Sequence, residues 1–228
     1  MTAPITHASV PDLVFAQLCE AILSGQYMAG ERMPTQRRLA AELGVNMASV
    51  REALGRLEQL RLIEVRHGDA TRVLDWRNSG GLEALAVLGS ADPATIAALF
   101  EARRLLLVEA ARLACERRSS EQAEQLTELA RAMRVASEDA AALLADWSFM
   151  STLVQAAGNL ILQLIMNSVR ELYLPKMELF ADVVGRRAEL APLYERAAAA
   201  IERRDADAAA EAIGTLTAAQ ESAMLGRR

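Results

Sequence analysis

The chain has 228 residues, 52% of them hydrophobic, and a formal net charge of −5. That is material for one large core or two, and no run approaches the roughly 18 unbroken apolar residues of a membrane helix, so no membrane partner is expected. Histidine occurs only as His7 and His67, and Cys19 and Cys115 lie far apart in apolar helical patterns, so neither a clustered metal site nor a nucleophile–base pair is offered, and no enzyme, metal or cofactor is expected.

In chain order, Asp12 is expected to cap a helix over "DLVFAQLCEAILSG". Val14, Leu18, Ala21 and Ile22 fall on one stripe and Gly25 is a stop. After a loop, "QYMAGERMP", Thr35 caps a short helix with Leu39 and Leu43 one turn apart, and Gly44 ends it. Asn46 caps a third helix, "MASVREALGRLEQL", whose buried stripe is Val50, Leu54 and Leu57. Two helices around a tight glycine turn make a helix-turn-helix. In "LIEVRHGDATRVL", Ile63 and Val65 alternate with Glu64 and Arg66, Gly68 permits a turn, and Thr71 to Leu74 form a return strand. A lone hairpin is marginal. It makes sense packed on the helices with a task at its tip, as in a winged helix-turn-helix. Residues 1–78 hold nine Arg and nine acids, so the whole −5 falls on the remainder, and the one lysine is Lys176. Arginine is the cation suited to bidentate phosphate or guanine contact.

After the hairpin comes a connector, "DWRNSGGLEALAVLGSADP", broken at Ser79, Gly80 and Gly81. From Pro93 everything reads as helix, over 93–117, 120–136, 139–157, 159–181, 187–203 and 206–225, with caps at Ser119 or Ser120, Ser137, Asn159 and Asp205. The expected fold is mainly α. A winged helix-turn-helix of three helices and a β-hairpin fills 8–76, a linker and linking helix 77–92, and an all-helical bundle 93–228. Both cysteines read as reduced core residues of a cytoplasmic protein, and "MTAPITHASV" has no secretion pattern.

The stretch "GERMPTQRRLAAELGVNMASVREALGRLEQLRLIEVRHGDATRV" resembles the winged-helix domain of GntR-type bacterial transcription regulators. The helical remainder is similar to the FadR branch of that family, through "WRNSGGLEALAVL" and "DWSFMSTLVQAAGN" with "LYLPKMELF" further on. The resemblance implies DNA contacts at Arg37, Asn46, Met47, Ser49, Arg51, His67 and Gly68. Thr35 and Ser49 also sit at helix N-termini, where free N–H groups meet phosphate. Two positions depart from the pattern. Met47 stands where many relatives carry Arg. It cannot pair bidentately with guanine but can pack on a thymine methyl, while Asp69 puts a negative charge at the wing tip.

Many relatives hold a metal with one Asp and three His. Asp146 matches the Asp, but Met150, Tyr194 and about Leu216 stand at the His positions. The FadR branch lacks those histidines and senses long-chain acyl-CoA, which implies a metal-free effector pocket here. The positions nearest that branch's ligand contacts hold Thr217, Gln220 and Met224. Arg103 can face the same cavity as Asp146, or the two can form a structural ion pair. Tyr173 and Tyr194 can be pocket hydroxyls or ordinary packing. The expected effector residues are therefore Arg103, Asp146, Met150, Tyr173, Tyr194, Thr217 and Gln220. The expected protein is a homodimeric regulator on a palindromic double-stranded DNA operator, answering to a fatty acyl-CoA or, alternatively, to a small organic acid.

Overall fold

The computed structural model describes residues 9–66, 70–81, 93–173 and 180–226, apart from the side chains of 93, 95 and 171–173. The chain divides into two units, Met1–Ser90 and Ala91–Arg228. Each has its own apolar core.

In the first unit, α1 runs Val10–Leu23, α2 Gln36–Leu43 and α3 Met47–Gln59. The cap of α1 is Ser9, one turn before the expected Asp12. Asp12 is its capping-box partner: its N–H donates to Ser9 Oγ (3.4 Å) and its Oδ2 accepts from the Ser9 N–H (3.0 Å). Thr35 and Asn46 cap α2 and α3 as expected, accepting from the N–H groups of Arg38 (3.3 Å) and Ser49 (2.8 Å). Gly44 closes α2 at φ +65°, left-handed backbone that favours glycine. The stripes of α1 and α3 pack together, with Val14, Leu18, Val50, Leu54 and Leu57 all buried.

The hairpin is short. β1 (Ile63–Glu64) pairs antiparallel with β2 (Arg72–Val73), matching Ile63 to Val73 and Glu64 to Arg72. Its outer edge is covered by part of the segment expected to be a loop. Arg32 bridges to Arg72, Gly30 N–H donates to Val73 O (2.8 Å), and Val73 N–H donates to Glu31 O (2.9 Å). This partner uses the backbone groups that an open edge would expose. A four-residue helix, α4 (Trp76–Ser79), follows, capped by Asp75.

The second unit is helical throughout its described residues: α5 Pro93–Arg117, α6 Ser120–Val135, α7 Asp139–Ala156, α8 Leu160–Tyr173, α9 Ala181–Val184, α10 Arg187–Glu202 and α11 Ala206–Leu225. Two expectations change. The single helix over 159–181 is two elements, α8 and α9, with 174–179 outside the described residues. Ser137 does not cap α7: Glu138 holds that position without a side-chain bond, and the Ser137 carbonyl instead accepts from Arg187 Nη2 (3.4 Å). Ser119, Asn159 and Asp205 do cap. α11 packs on α5 and α10, α10 on α6, α6 on α7, and α7 on α5. Buried alanines, among them Ala110, Ala114, Ala209 and Ala212, bring the α5 and α11 backbones close.

Two arginines close this bundle at one end. Arg204, at φ +59°, donates from Nη1 to the carbonyls of Cys115 (2.8 Å) and Glu116 (2.9 Å) at the end of α5. Arg118 donates from Nη2 to Glu202 O (2.6 Å) at the end of α10. Each helix C-terminus, with its unpaired carbonyls and negative dipole end, thus receives a cation from the chain following the other.

Candidate DNA-binding surface and effector site

In the first unit the short αL turn at Gly44 sets α2 against α3, and the buried stripe of α3 leaves its opposite face to solvent. Thr35, Arg37, Asn46, Met47 and Arg51 are exposed. Asn46 uses its Oδ1 in the cap, which leaves its amide NH2 as the available end. Ser49 differs from the rest. It is 6% exposed at the edge of the core, with its N–H donated to Asn46 Oδ1. His67, Gly68 and Asp69 lie outside the described residues.

The arginines separate into two groups. Arg38 pairs with Glu42 (2.6 Å), Arg66 with Glu64 (2.7 Å), and Arg56 with Asp12 (2.8 Å) while also lying over the Phe15 ring (4.0 Å). The side chains of Arg37 and Arg51 have no hydrogen-bond or ion-pair partner among the described residues. Two forked cations without internal partners, on the face of a helix-turn-helix, are what phosphate or guanine recognition requires. Arg56 was not singled out from the sequence. Its role is to tie α3 to α1, and its partners lie too far along the chain for local spacing to reveal them.

In the second unit, four of the expected effector residues meet, one each from α5, α7, α10 and α11. Asp146, 3% exposed, accepts at Oδ1 from the Tyr194 hydroxyl (2.5 Å) and from Gln220 Nε2 (2.9 Å). Gln220 Nε2 also donates to the Tyr194 oxygen (2.9 Å). Arg103 reaches in from a partly exposed position. Its Nη1 donates to Gln220 Oε1 (2.6 Å), and its Nη2 lies 3.4 Å from each Asp146 oxygen. A buried carboxylate is costly unless it is paired and hydrogen-bonded. Here a phenol, an amide and a guanidinium share that task. Phe149, not anticipated, meets the Tyr194 ring edge-on at 5.0 Å and so orients its hydroxyl.

Met150 and Thr217 are buried one turn from Asp146 and Gln220 on their respective helices. The Thr217 hydroxyl turns back to its own helix, donating to Ile213 O (2.8 Å). Tyr173 ends α8, and its side chain lies outside the described residues. The group around Asp146 does not fit an imidazole-bound divalent cation. Its members bring no imidazole, and Arg103 already sets a positive charge against the carboxylate. Among the described residues no group of three or more His, Cys, Asp or Glu gathers elsewhere. No described helix is long and apolar enough to cross a membrane.

Two family patterns match the chain, that of bacterial regulatory proteins of the gntR family over residues 12–73 and the FCD domain over residues 98–219. The chain is 35% identical to the HTH-type transcriptional regulator Mce2R of Mycobacterium tuberculosis, over 87% of this chain and 84% of that one. It is 30% identical to the fatty acid metabolism regulator protein of Yersinia pestis, over 68% and 66%. Among solved structures it is similar in fold to Lar of Listeria monocytogenes, with a TM-score of 0.65 at 15% identity, covering 98% of this chain and all of that one. With a winged unit carrying unpartnered arginines and a helical unit matching the FCD pattern, the chain belongs to the GntR family as a DNA-binding transcription regulator with an FCD effector-binding domain.

Proposed function

We propose that this regulator answers to a long-chain fatty acyl-CoA, controls genes of fatty-acid use, and binds a palindromic operator as a homodimer. The observation that carries a ligand-responsive reading is the convergence of Arg103, Asp146, Tyr194 and Gln220 from four helices on one buried polar cluster. Support for an acyl-CoA comes from the likeness to a fatty acid metabolism regulator and from a cluster whose chemistry does not call for a metal. In the DNA-bound form α3 enters the major groove with Arg51, Met47 and the Asn46 amide toward base edges. Arg37 and the cap at Thr35 lie toward phosphate, and the wing tip at His67 and Gly68 lies at or near the minor groove. One short recognition helix reads few base pairs, so a second protomer on a twofold-related half-site supplies the rest.

Because the four side chains satisfy one another, a polar ligand entering there exchanges its own hydrogen bonds for theirs. Such a ligand favours an arrangement in which α11 and α5 have shifted, and only that differential affinity can change the operator-binding equilibrium. A second reading is favoured by one observation: Arg103 offers a guanidinium to a buried site, while Thr217 and Gln220 are engaged internally. A small organic acid could take the guanidinium in place of Asp146.

One titration separates these readings. An operator selected from random duplexes by the purified protein is labelled, and oleoyl-CoA, oleate, CoA and a panel of short carboxylates are added to the complex. Release by oleoyl-CoA and not by CoA or oleate is expected. Release only by a short carboxylate, lost in Arg103→Ala, selects the second reading.

A further inference from the structure

We propose that Met47 reads the 5-methyl group of a thymine, so that each operator half-site carries a T·A pair at the step facing the start of α3. The inference rests on α3 being the helix that enters the major groove. Met47 is the first residue of α3, immediately after the Asn46 cap, and it is the N-terminal residues of a recognition helix that meet base edges. The buried stripe of α3 holds Val50, Ala53, Leu54 and Leu57 at 2% exposure or less, whereas Met47, at the first turn beside that stripe, is 43% exposed. It is the large hydrophobic that α3 leaves in solvent among the described residues. Arg51 stands one turn further on, exposed and without an internal partner. Residues four apart share a helix face, so this face presents an unbranched apolar tip beside a cationic fork.

Chemistry then selects the base. A thioether has no donor and is a weak acceptor, so it forms no bidentate pair with guanine or adenine. The apolar feature that the four bases offer in the major groove is the thymine C5 methyl. Methionine has three rotatable bonds and a polarisable sulfur, which let it settle against such a group. The Asn46 amide, left as a donor by the cap, and Arg51 then supply hydrogen bonds to neighbouring acceptors, and Met47 supplies the apolar discrimination between T and C.

The test uses the full-length protein and duplexes selected by it from a random pool. Each thymine of a half-site is replaced in turn, in both half-sites, by deoxyuridine, which lacks only the methyl. At one position the wild-type protein should lose roughly fourfold in affinity per half-site, while Met47→Ala binds the T and deoxyuridine duplexes equally and Met47→Leu keeps the preference. The proposal is overturned if selected half-sites carry no fixed thymine, if no deoxyuridine weakens binding, or if every such loss persists in Met47→Ala. Arg51→Ala on the same duplexes separates the two levels. If it abolishes specific binding while Met47 shows no coupling, α3 is the reading helix and only the thymine contact fails. If it binds like wild type, the placement of α3 fails, and the thymine contact with it.

Discussion

Arg51 and Arg38 are both exposed arginines of the helix-turn-helix, and the difference between them is their company. Arg38 already spends its guanidinium on Glu42 one turn away, whereas Arg51 has no partner among the described residues. Arg51→Ala should therefore lower operator affinity by about 5- to 150-fold, the range of one lost bidentate contact. Arg38→Ala should change it several-fold at most, both read by fluorescence anisotropy at fixed salt. Asp146 calls for a different measurement. Asp146→Ala leaves Arg103 and the Tyr194 hydroxyl without their common acceptor, and breaking a buried pair in this way costs about 3–5 kcal/mol. Urea unfolding of the helical unit should show a loss of that order. Cys19 gives a pH prediction. Burial in the first core pushes its thiol up to about 11 from an ordinary value of 9.0. Its folded form thus holds the proton more tightly than the unfolded chain does, a contribution fully present below pH 9 and lost as pH rises toward 11. Stability of the winged unit should fall across that window, and Cys19→Ala should flatten the fall. At this scale the sequence was a good guide to candidates and a poor one to their state. Arg103, Asp146, Tyr194 and Gln220 were all identifiable, but their bonds span 26 to 117 positions and no local pattern encodes them. Ser49 proves buried because its helical phase lies at the boundary of the buried stripe, where spacing does not decide exposure.

Helices were legible where short-range chemistry governs them. The caps at Thr35, Asn46, Ser119, Asn159 and Asp205 each act within three residues, so reading the side chain was sufficient. Gly44 belongs with them. At φ +65° a Cβ meets the following carbonyl, so Gly44→Ala should lower thermal stability by about 1–2 kcal/mol even though open space surrounds the site. What escaped was pairing at a distance. Residues 30–33 show no strand alternation, yet they cover β2, because the edge of a two-stranded hairpin needs a partner more than that segment needs a pattern. The expected helix over 159–181 followed apolar spacing to its end, yet Phe180 stands outside helical backbone at φ −105° and ψ 13°, just before α9. The arginine closure of α5 and α10 was likewise invisible. Its two halves are Arg118 and Arg204, each bonding to carbonyls some 80 or more positions away. Since the two arginines satisfy opposite ends of one junction, Arg118→Ala and Arg204→Ala should not add. The double variant should unfold at a urea concentration close to that of the worse single one.

For the molecule as a whole, the change of period after the hairpin was the strongest signal in the sequence, and the chain does form two units with separate cores. On the proposed reading the recognition surface lies in one unit and the effector cluster in the other, so regulation is a coupling free energy between two sites. Such couplings are typically about 1–3 kcal/mol, or 5- to 150-fold in affinity. Linkage then makes a demand that holds whether the effector is an acyl thioester or an organic acid. If the effector weakens operator binding by a given factor, the operator must weaken effector binding by the same factor. Calorimetric titration of the effector into free protein and into the operator complex should give two dissociation constants whose ratio equals that of the two operator affinities. In Asp146→Asn the carboxylate that accepts from Tyr194, Gln220 and Arg103 is neutralised, and both ratios should move together toward one while the effector-free operator affinity stays the same. Unequal ratios would mean that the effector acts outside this equilibrium, by binding the DNA or by removing protein from solution. A ratio unchanged in Asp146→Asn would mean that the effector binds elsewhere in the helical unit and that the four-residue cluster is only the means by which α5, α7, α10 and α11 are held together.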